Sequence, residues 1–115
     1  METISEKVVR YRQIIQEMLS RLAAIPNLEA GVDDRLLFDE RNDSYAVIAE
    51  GWDQDERVHH VVAHLEIIDS KVWIQVDNTD LVLARELEAK GIPKSDIVLG
   101  FRSPEVRSES EYAIA

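Results

Sequence analysis

The stretch from Val58 to Asp77 constrains the fold more than any other part of the chain. It contains two apolar-rich segments, VHHVVAHLEII and KVWIQVD, separated only by Asp69 and Ser70. A connection of two residues joins neighbouring antiparallel strands in a β-hairpin. The hairpin is predicted to place six apolar residues on one face, in the pairs Ile67–Val72, Leu65–Ile74 and Ala63–Val76.

The opposite face of this hairpin is polar and carries one large aromatic residue. Its predicted members are Val62, His64, Glu66, Trp73, Gln75 and Asp77. A sheet that is covered by helices on one side and open on the other produces this alternation. We therefore expect function on the open face. The candidate residues for binding a protein partner are His64, Glu66, Trp73, Gln75, Asp77 and, from the preceding strand segment, Trp52.

The N-terminal part of the chain predicts an amphipathic helix. Its apolar residues recur at spacings of three and four, namely Ile4, Val8, Tyr11, Ile15, Met18, Leu22 and Ile25. Thr3 and Glu6 have the spacing of a capping box, in which each side chain accepts a hydrogen bond from the other residue's backbone amide. Pro26 disfavours helical geometry at the preceding residue and ends the helix.

Further strands and a second helix complete the predicted architecture. RLLFDE and YAVIAEGW read as strands, whereas IVLGF fits either a short strand or a buried turn. A helix follows Asp77, with Asn78 or Thr79 as its cap and Gly91 at its end. Residues 1–115 are thus predicted to form a single α+β domain. It has an antiparallel sheet of about four strands, with both helices packed on one face.

Composition and charge exclude several classes of function. The chain has no cysteine, so disulfides and thiolate nucleophiles are excluded, and its formal net charge is -10. The charge is uneven, because residues 25–56 carry ten acids against two bases. Such a field repels nucleic-acid phosphates and attracts basic proteins. The N-terminal residues lack the apolar run of a signal peptide or membrane span, which favours a cytoplasmic protein.

All three histidines lie between Val58 and Ile67, which raises the question of a metal site. On a regular strand His60, His64 and Glu66 project to one face and His59 to the other. His60 and His64 would be about 13 Å apart, too far to share an ion. We therefore expect no metal and, with only four glycines in the chain, no nucleotide cofactor.

Two other functions stay open as alternatives to protein binding. A small enzyme would use His64 with Asp77 or Glu66 as an acid–base pair, although no nucleophile elbow, phosphate loop or HExxH motif is present. Direct DNA binding would depend on Lys7, Arg10 and Arg21 of the first helix. Self-association through the open face and its tryptophan is a further reading.

Three segments cover nearly the whole chain and together carry a resemblance: KVVRYRQIIQEML, LLFDERNDSYAVIAEGWDQDERVHHVVAHLEIIDSKVWIQVDNTD and ELEAKGIPKSDIVLGFRSPEVRSESEYAIA. They resemble the XisI family, whose members are named fdxN-element excision controlling factors. The resemblance implies a cyanobacterial accessory protein in the programmed removal of a DNA element during heterocyst differentiation. There a recombinase cuts and joins the DNA, so this chain would act on DNA only indirectly.

The resemblance also implies a partner and marks where this chain departs from the family. We expect a non-catalytic module that binds an XisH-like protein, a type that resembles restriction-type nucleases. His59, His64, Trp73, Gln75, Asp77 and Thr79 match the family motif, which provides no catalytic residue to carry over. Typical members have Asp-Gly at the hairpin where this chain has Asp69-Ser70, and many have a small residue at His60.

Overall fold

The computed structural model describes all residues from Met1 to Ala115. In chain order the elements are α1 (Ile4–Ala23), β1 (Val32–Asp39), β2 (Ser44–Asp53), β3 (Glu56–Ile68), β4 (Lys71–Asp77), α2 (Leu83–Ala89), β5 (Ile97–Leu99) and α3 (Pro104–Ser108). None of these helices combines the length and the apolar character that a membrane-spanning helix needs.

The first helix begins as its sequence predicts and ends earlier. Thr3 and Glu6 form the predicted capping box, with both reciprocal hydrogen bonds present. The buried face consists of Tyr11, Ile15, Met18 and Leu19. The two ends of the predicted apolar stripe are not in the core, since Ile4 is 68% exposed and Ile25 is 59% exposed. The helix stops at Ala23, so Ile25 lies beyond its end.

The sheet has five strands in the order β1-β2-β3-β4-β5, one more than predicted. Strands β1 to β4 form an antiparallel meander, as expected from their short connections. The ambiguous IVLGF segment supplies β5, which pairs with β4 in parallel. Parallel neighbours need a crossover, and α2 provides it. The α+β class with α1 and α2 against one sheet face is therefore confirmed.

One hydrophobic core lies between the sheet and the two longer helices. The helices contribute Tyr11, Ile15, Met18, Leu19, Leu83, Ala84 and Leu87. The sheet contributes Tyr45, Val47, Ala63, Leu65, Ile67, Val72, Ile74 and Ile97. These strand residues alternate with partly exposed ones along β2, β3 and β4. The sheet thus has a helix-covered face and an opposite face, which we call the open face.

The β3–β4 hairpin has the predicted two-residue loop but not the complete predicted register. Asp69 and Ser70 have φ of 50° and 65°, the left-handed values that this type of tight turn requires. The pairs Ile67–Val72 and Leu65–Ile74 are confirmed. The third pair is wrong, because Ala63 lies opposite Asp77. A β-bulge at Gln75 inserts one extra residue and shifts the remainder of the ladder.

A second bulge lies between β2 and β3. Val47 pairs with Ala63 and Ile48 pairs with Val61, so Val62 is the extra residue. Each bulge reverses the facing of the residues beyond it, because side chains alternate along a strand. No apolar or polar pattern in the sequence marks these two positions.

The last residues of the chain, 100–115, fold back over the β5 side of the sheet. We call them the C-terminal segment. Ala113 forms a parallel bridge with Val98, and the Lys71 ammonium donates to the Ala115 carbonyl. Arg107 Nη1 donates to the Ile114 carbonyl at 2.8 Å. As a result Val98 is completely buried, although it points to the open face beside Trp73.

Candidate partner-binding surface

Four of the six predicted partner-binding residues lie together on the open face. Glu66 is directly opposite Trp73, and His64 is opposite Val76 across the same strand pair. Gln75 occupies the bulge, and its Nε2 donates to Glu66 Oε1 at 3.2 Å. The sequence therefore placed His64, Glu66, Trp73 and Gln75 correctly on one surface. All four are partly buried.

His64 has a hydrogen-bond partner that the sequence pattern did not predict. Ser44, the first residue of β2, has its Oγ 2.8 Å from His64 Nε2. The two residues are diagonal neighbours, because Ser44 pairs with Glu66 and Ala46 pairs with His64. No hydrogen bond joins His64 to Glu66 or Asp77, the carboxylates proposed as its acid–base partners. Only the β2–β3 register, which the sequence did not define, reveals the Ser44 contact.

Trp73 is stacked against the C-terminal segment. The Arg107 guanidinium carbon lies 5.1 Å from the centroid of the indole ring. Arg107 is itself fixed, since its Nε donates to the Arg102 carbonyl at 2.9 Å and its Nη1 to the Ile114 carbonyl. A guanidinium over an indole is a favourable cation–π arrangement. Trp73 is therefore not the free indole that alternation alone implies, but a partly exposed ring held in one orientation.

Asp77 does not belong to the open face, which corrects the sequence prediction. The bulge at Gln75 turns Asp77 toward the helix-covered face, opposite Ala63. Its Oδ2 accepts the backbone amide of Leu83 at 3.0 Å, and its Oδ1 accepts the amide and hydroxyl of Thr79 at 3.1 and 2.6 Å. Val82 precedes α2 without a side-chain cap, so the Asp77 carboxylate caps this helix instead.

Trp52 lies on the open face but far from the other candidates. Its ring is 55% exposed and stacks with Arg57, whose guanidinium carbon is 5.6 Å from the centroid. Trp52 stands eight residues after Ser44 along β2, a separation of about 26 Å in an extended strand. A single small ligand cannot contact both tryptophans, whereas a macromolecule can.

The facing of two histidines also differs from the prediction. The bulge at Val62 places His59 opposite Glu50 on the open face and His60 opposite Ala49 on the helix-covered face. His60, not His59, is thus the histidine that points away from His64. No group of three or more His, Asp and Glu side chains in the structure is arranged to hold a metal ion.

Beyond the end of α1, the helix-covered face is left as a groove that the sequence did not suggest. Its cavity volume is about 700 Å³, and its walls include Ile25, Leu28, Val58 and Leu81. His60 and Asp34 flank its floor, with Ala49 between them in the register. A smaller depression of about 390 Å³ lies on the open face, where it is lined by Leu37, Ile48, Glu50 and His59 among others.

A hydrogen-bonded cluster of Arg12, Asp43 and Tyr45 fixes the backbone next to Ser44. Arg12 Nε and the Tyr45 hydroxyl both donate to Asp43 Oδ1, at 2.9 and 2.7 Å. Burial raises the pKa of Asp43, but these two hydrogen bonds outweigh it, so the pKa lies below its ordinary value. Burial and the hydrogen bond to Asp43 raise the pKa of Tyr45 to about 12.

The three basic residues considered for DNA binding are each paired with a carboxylate. Lys7 contacts Asp96 at 3.1 Å, Arg10 contacts Glu2 at 2.8 Å and Arg21 contacts Glu17 at 2.7 Å. These acids cancel the positive charge along α1. The helix therefore does not present the uncompensated basic patch that phosphate binding requires.

Comparisons with known proteins give matches over nearly the whole chain. The model of the family described as XisI protein matches residues 5–114. A solved structure of the fdxN element excision controlling factor XisI from Anabaena variabilis ATCC 29413 is 40% identical, with a TM-score of 0.82 over 95% of this chain and 99% of that one. A XisI-like protein from the same organism is 31% identical, with a TM-score of 0.89 over 94% and 99%. No curated protein matches the chain.

Proposed function

Since this chain belongs to the XisI family, we propose that it is an accessory factor in the programmed excision of a DNA element and acts by binding a protein. The solved relative that is named an excision controlling factor covers nearly the same residues, which supports the first part of the proposal. The second part is supported by the geometry of the open face. An XisH-like protein is the partner that we propose.

The observation that carries the protein-binding proposal is the ordered aromatic and amide surface around Trp73. The Arg107 guanidinium stacks on the Trp73 indole, and the Gln75 amide donates a hydrogen bond to the Glu66 carboxylate. Side chains that are already ordered lose little conformational entropy when a partner docks. Partly exposed tryptophan and arginine are also the residue types that contribute most to protein interfaces.

The net charge of -10 supports a basic partner. Opposite charges on two proteins accelerate their encounter and make it sensitive to salt. A nuclease-like protein needs a basic DNA-facing surface, and an acidic subunit is complementary to it. Such a complex would act on DNA only through the partner, which agrees with the neutralised basic residues of α1.

Co-expression with an XisH-like protein, followed by size-exclusion chromatography, tests the proposal. We expect one co-eluting complex at low salt that weakens as salt is added. Trp73→Ala should weaken binding by about tenfold or more, corresponding to 1–2 kcal/mol or above. Ile25→Ala is a matched control on the helix side, where the side chain is 59% exposed, and should bind normally. Two separate peaks at low salt would count against the proposal.

A small enzyme is a second candidate, favoured by the hydrogen bond between Ser44 and His64. A serine beside an imidazole is the first element of a nucleophile–base pair. In an enzyme, His64→Ala would abolish turnover, whereas in a broad interface it would cost about 1–2 kcal/mol of binding. Ser44→Ala with retained complex formation and unchanged function in excision would eliminate this candidate.

A further inference from the structure

Strand β1 is a free edge of the sheet with exposed apolar side chains. It pairs with β2 on one side only, and on its other side only the backbone of Val32 is bonded, to Glu29 and Asn27. Three consecutive residues, Leu36, Leu37 and Phe38, are 40%, 58% and 36% exposed. An uncovered edge strand of this kind is a template for pairing with another strand.

Beside its four charged residues, β1 lacks three other devices that commonly prevent edge pairing, namely proline, lysine and a bulge. The strand contains no proline and no lysine, and its pairing with β2 runs over eight residues without a bulge. Its one basic residue, Arg35, is already drawn toward β2 by Glu50, with Nε 2.8 Å from Oε1. Proteins that keep an edge strand unpaired commonly use proline, lysine or a bulge there.

The backbone direction of β1 limits how a second strand can pair. The Trp52 amide donates to the Gly31 carbonyl, so Gly31 and the following odd-numbered residues direct their backbone groups to β2. The even-numbered residues, including Leu36 and Phe38, direct theirs outward. An antiparallel second copy of β1 must therefore pair even residues with even and odd with odd.

Among these registers, one sets opposite charges against each other within residues 35–39. When Leu37 faces Leu37 of a second copy, Arg35 faces Asp39 of that copy and Leu36 faces its Phe38. Centring the pair on Leu36 instead sets Asp33 against Asp39, and centring it on Arg35 sets two arginines against each other. Opposite charges across a strand pair stabilise it, and like charges destabilise it.

We propose that two copies of this chain associate edge to edge through β1, with Leu37 on the two-fold axis. The two five-stranded sheets then form one continuous sheet. Each Leu36–Phe38 pair exchanges both of its backbone hydrogen bonds, and Arg35 lies opposite Asp39 of the second copy while Arg35 keeps its contact with Glu50 and Asp39 its bonds to Asn42. Because odd residues meet odd residues, both copies keep α1 on the same side. This surface is separate from the Trp73 cluster, so the proposal does not depend on the proposed function.

Molecular mass in solution tests the association. Analytical ultracentrifugation of the full chain should show a monomer–dimer equilibrium. Leu37→Lys places two like charges on the axis and should weaken dimerisation at least about tenfold. Leu28→Lys is the matched control, because Leu28 is 101% exposed but lies outside β1. It should leave the dimer intact. A wild-type chain that stays monomeric at all concentrations, or a dimer unaffected by Leu37→Lys, would overturn the proposal.

Single cysteines determine the register, because the chain has none of its own. A residue on the axis lies about 4.5 Å, Cα to Cα, from its copy, within reach of a disulfide. Under mild oxidation Leu37→Cys should form a covalent dimer quickly, while Arg35→Cys, Leu36→Cys and Phe38→Cys should react slowly. Fastest cross-linking at one of the other positions would refute the Leu37-centred pairing. If β1 pairs only with a different protein, the purified chain should show no cross-linking at any of these positions. That outcome would overturn the proposed homodimer.

Discussion

The two edges of the sheet differ in how far they are covered by the rest of the chain. At the β5 edge, Ala113 bridges Val98, and the C-terminal segment leaves Val98 without exposed surface. At the β1 edge, three large apolar side chains in succession are exposed. The chain thus uses its last residues to complete one edge of the sheet and leaves the other edge unpaired. Changes at the β5 edge should therefore affect stability, and changes at the β1 edge should affect association.

The largest expected effect comes from removing residues 112–115. Tyr112 packs against the core and its hydroxyl donates to Glu88 at 2.6 Å, and this truncation also exposes Val98. The free energy of unfolding, measured by urea denaturation, should fall by about 3–5 kcal/mol. Ile114→Ala, at a side chain that is 52% exposed, is the control and should cost less than about 1 kcal/mol. Unchanged stability of the truncated chain would remove the contrast between the edges.

Asp43→Asn should have the next largest effect, at the hairpin that joins β1 to β2. It removes the charged acceptor of Arg12 and Tyr45 and should lower the free energy of unfolding by about 1–3 kcal/mol at neutral pH. Because the folded-state pKa of Asp43 lies below its ordinary value, this contribution is present above the ordinary pKa and is lost as the pH falls through the folded pKa. The variant should accordingly lose less stability on acidification than the parent. Asp53→Asn, at an exposed position, provides the control.

Asp77→Ala tests whether this residue supports the fold or a partner surface. Loss of the cap on α2 should lower the free energy of unfolding by about 0.5–2 kcal/mol. Binding to an XisH-like protein should be unchanged for the folded variant, since Asp77 is on the helix-covered face. Asp80→Ala, at an exposed neighbour, should alter neither quantity. Weaker binding with an unchanged free energy of unfolding would show that Asp77 contributes to the interface.

Ser70→Gly should stabilise the β3–β4 hairpin by about 1 kcal/mol. Ser70 has φ of 65°, and only glycine adopts left-handed geometry without a steric penalty. The melting temperature should rise. Ser70→Ala retains the penalty and should give no increase, which separates backbone relief from loss of the hydroxyl.

The smallest effect is expected for Leu37→Thr on the open edge. Leu37 is 58% exposed, so the free energy of unfolding of the monomer should change by less than about 0.5 kcal/mol. Leu65→Ala, on the buried side of β3, should cost about 2–5 kcal/mol and serves as the reference. The free energies of unfolding of the two variants should be compared by denaturation at protein concentrations where the chain is monomeric. A loss of several kcal/mol at Leu37 would show that this edge belongs to the core.

The sequence predicted the elements well and the facing of some residues poorly. The α1 capping box, the Asp69–Ser70 loop and the pairing of Leu65 with Ile74 follow from local spacing. Asp77 and His60 were assigned to the wrong face, because each lies beyond a bulge. A bulge depends on how two strands pair, so it leaves no mark in either strand alone. The contact of Arg107 with Trp73 joins segments far apart in the chain and was equally out of reach.

The two bulges make the length of β3 and β4 as informative as their composition. Deleting Val62 would leave Val61 opposite Ile48 and Ala63 opposite Val47, so the other residues of β3 would keep their faces. Deleting Gln75 would likewise leave Asp77 opposite Ala63, still directed toward α2. Each bulge therefore absorbs one residue of chain length without inverting its neighbours, whereas the same extra residue in a regular ladder would send the Asp77 carboxylate to the opposite face. In this fold the two bulges, and not strand composition alone, decide which side chains reach each surface.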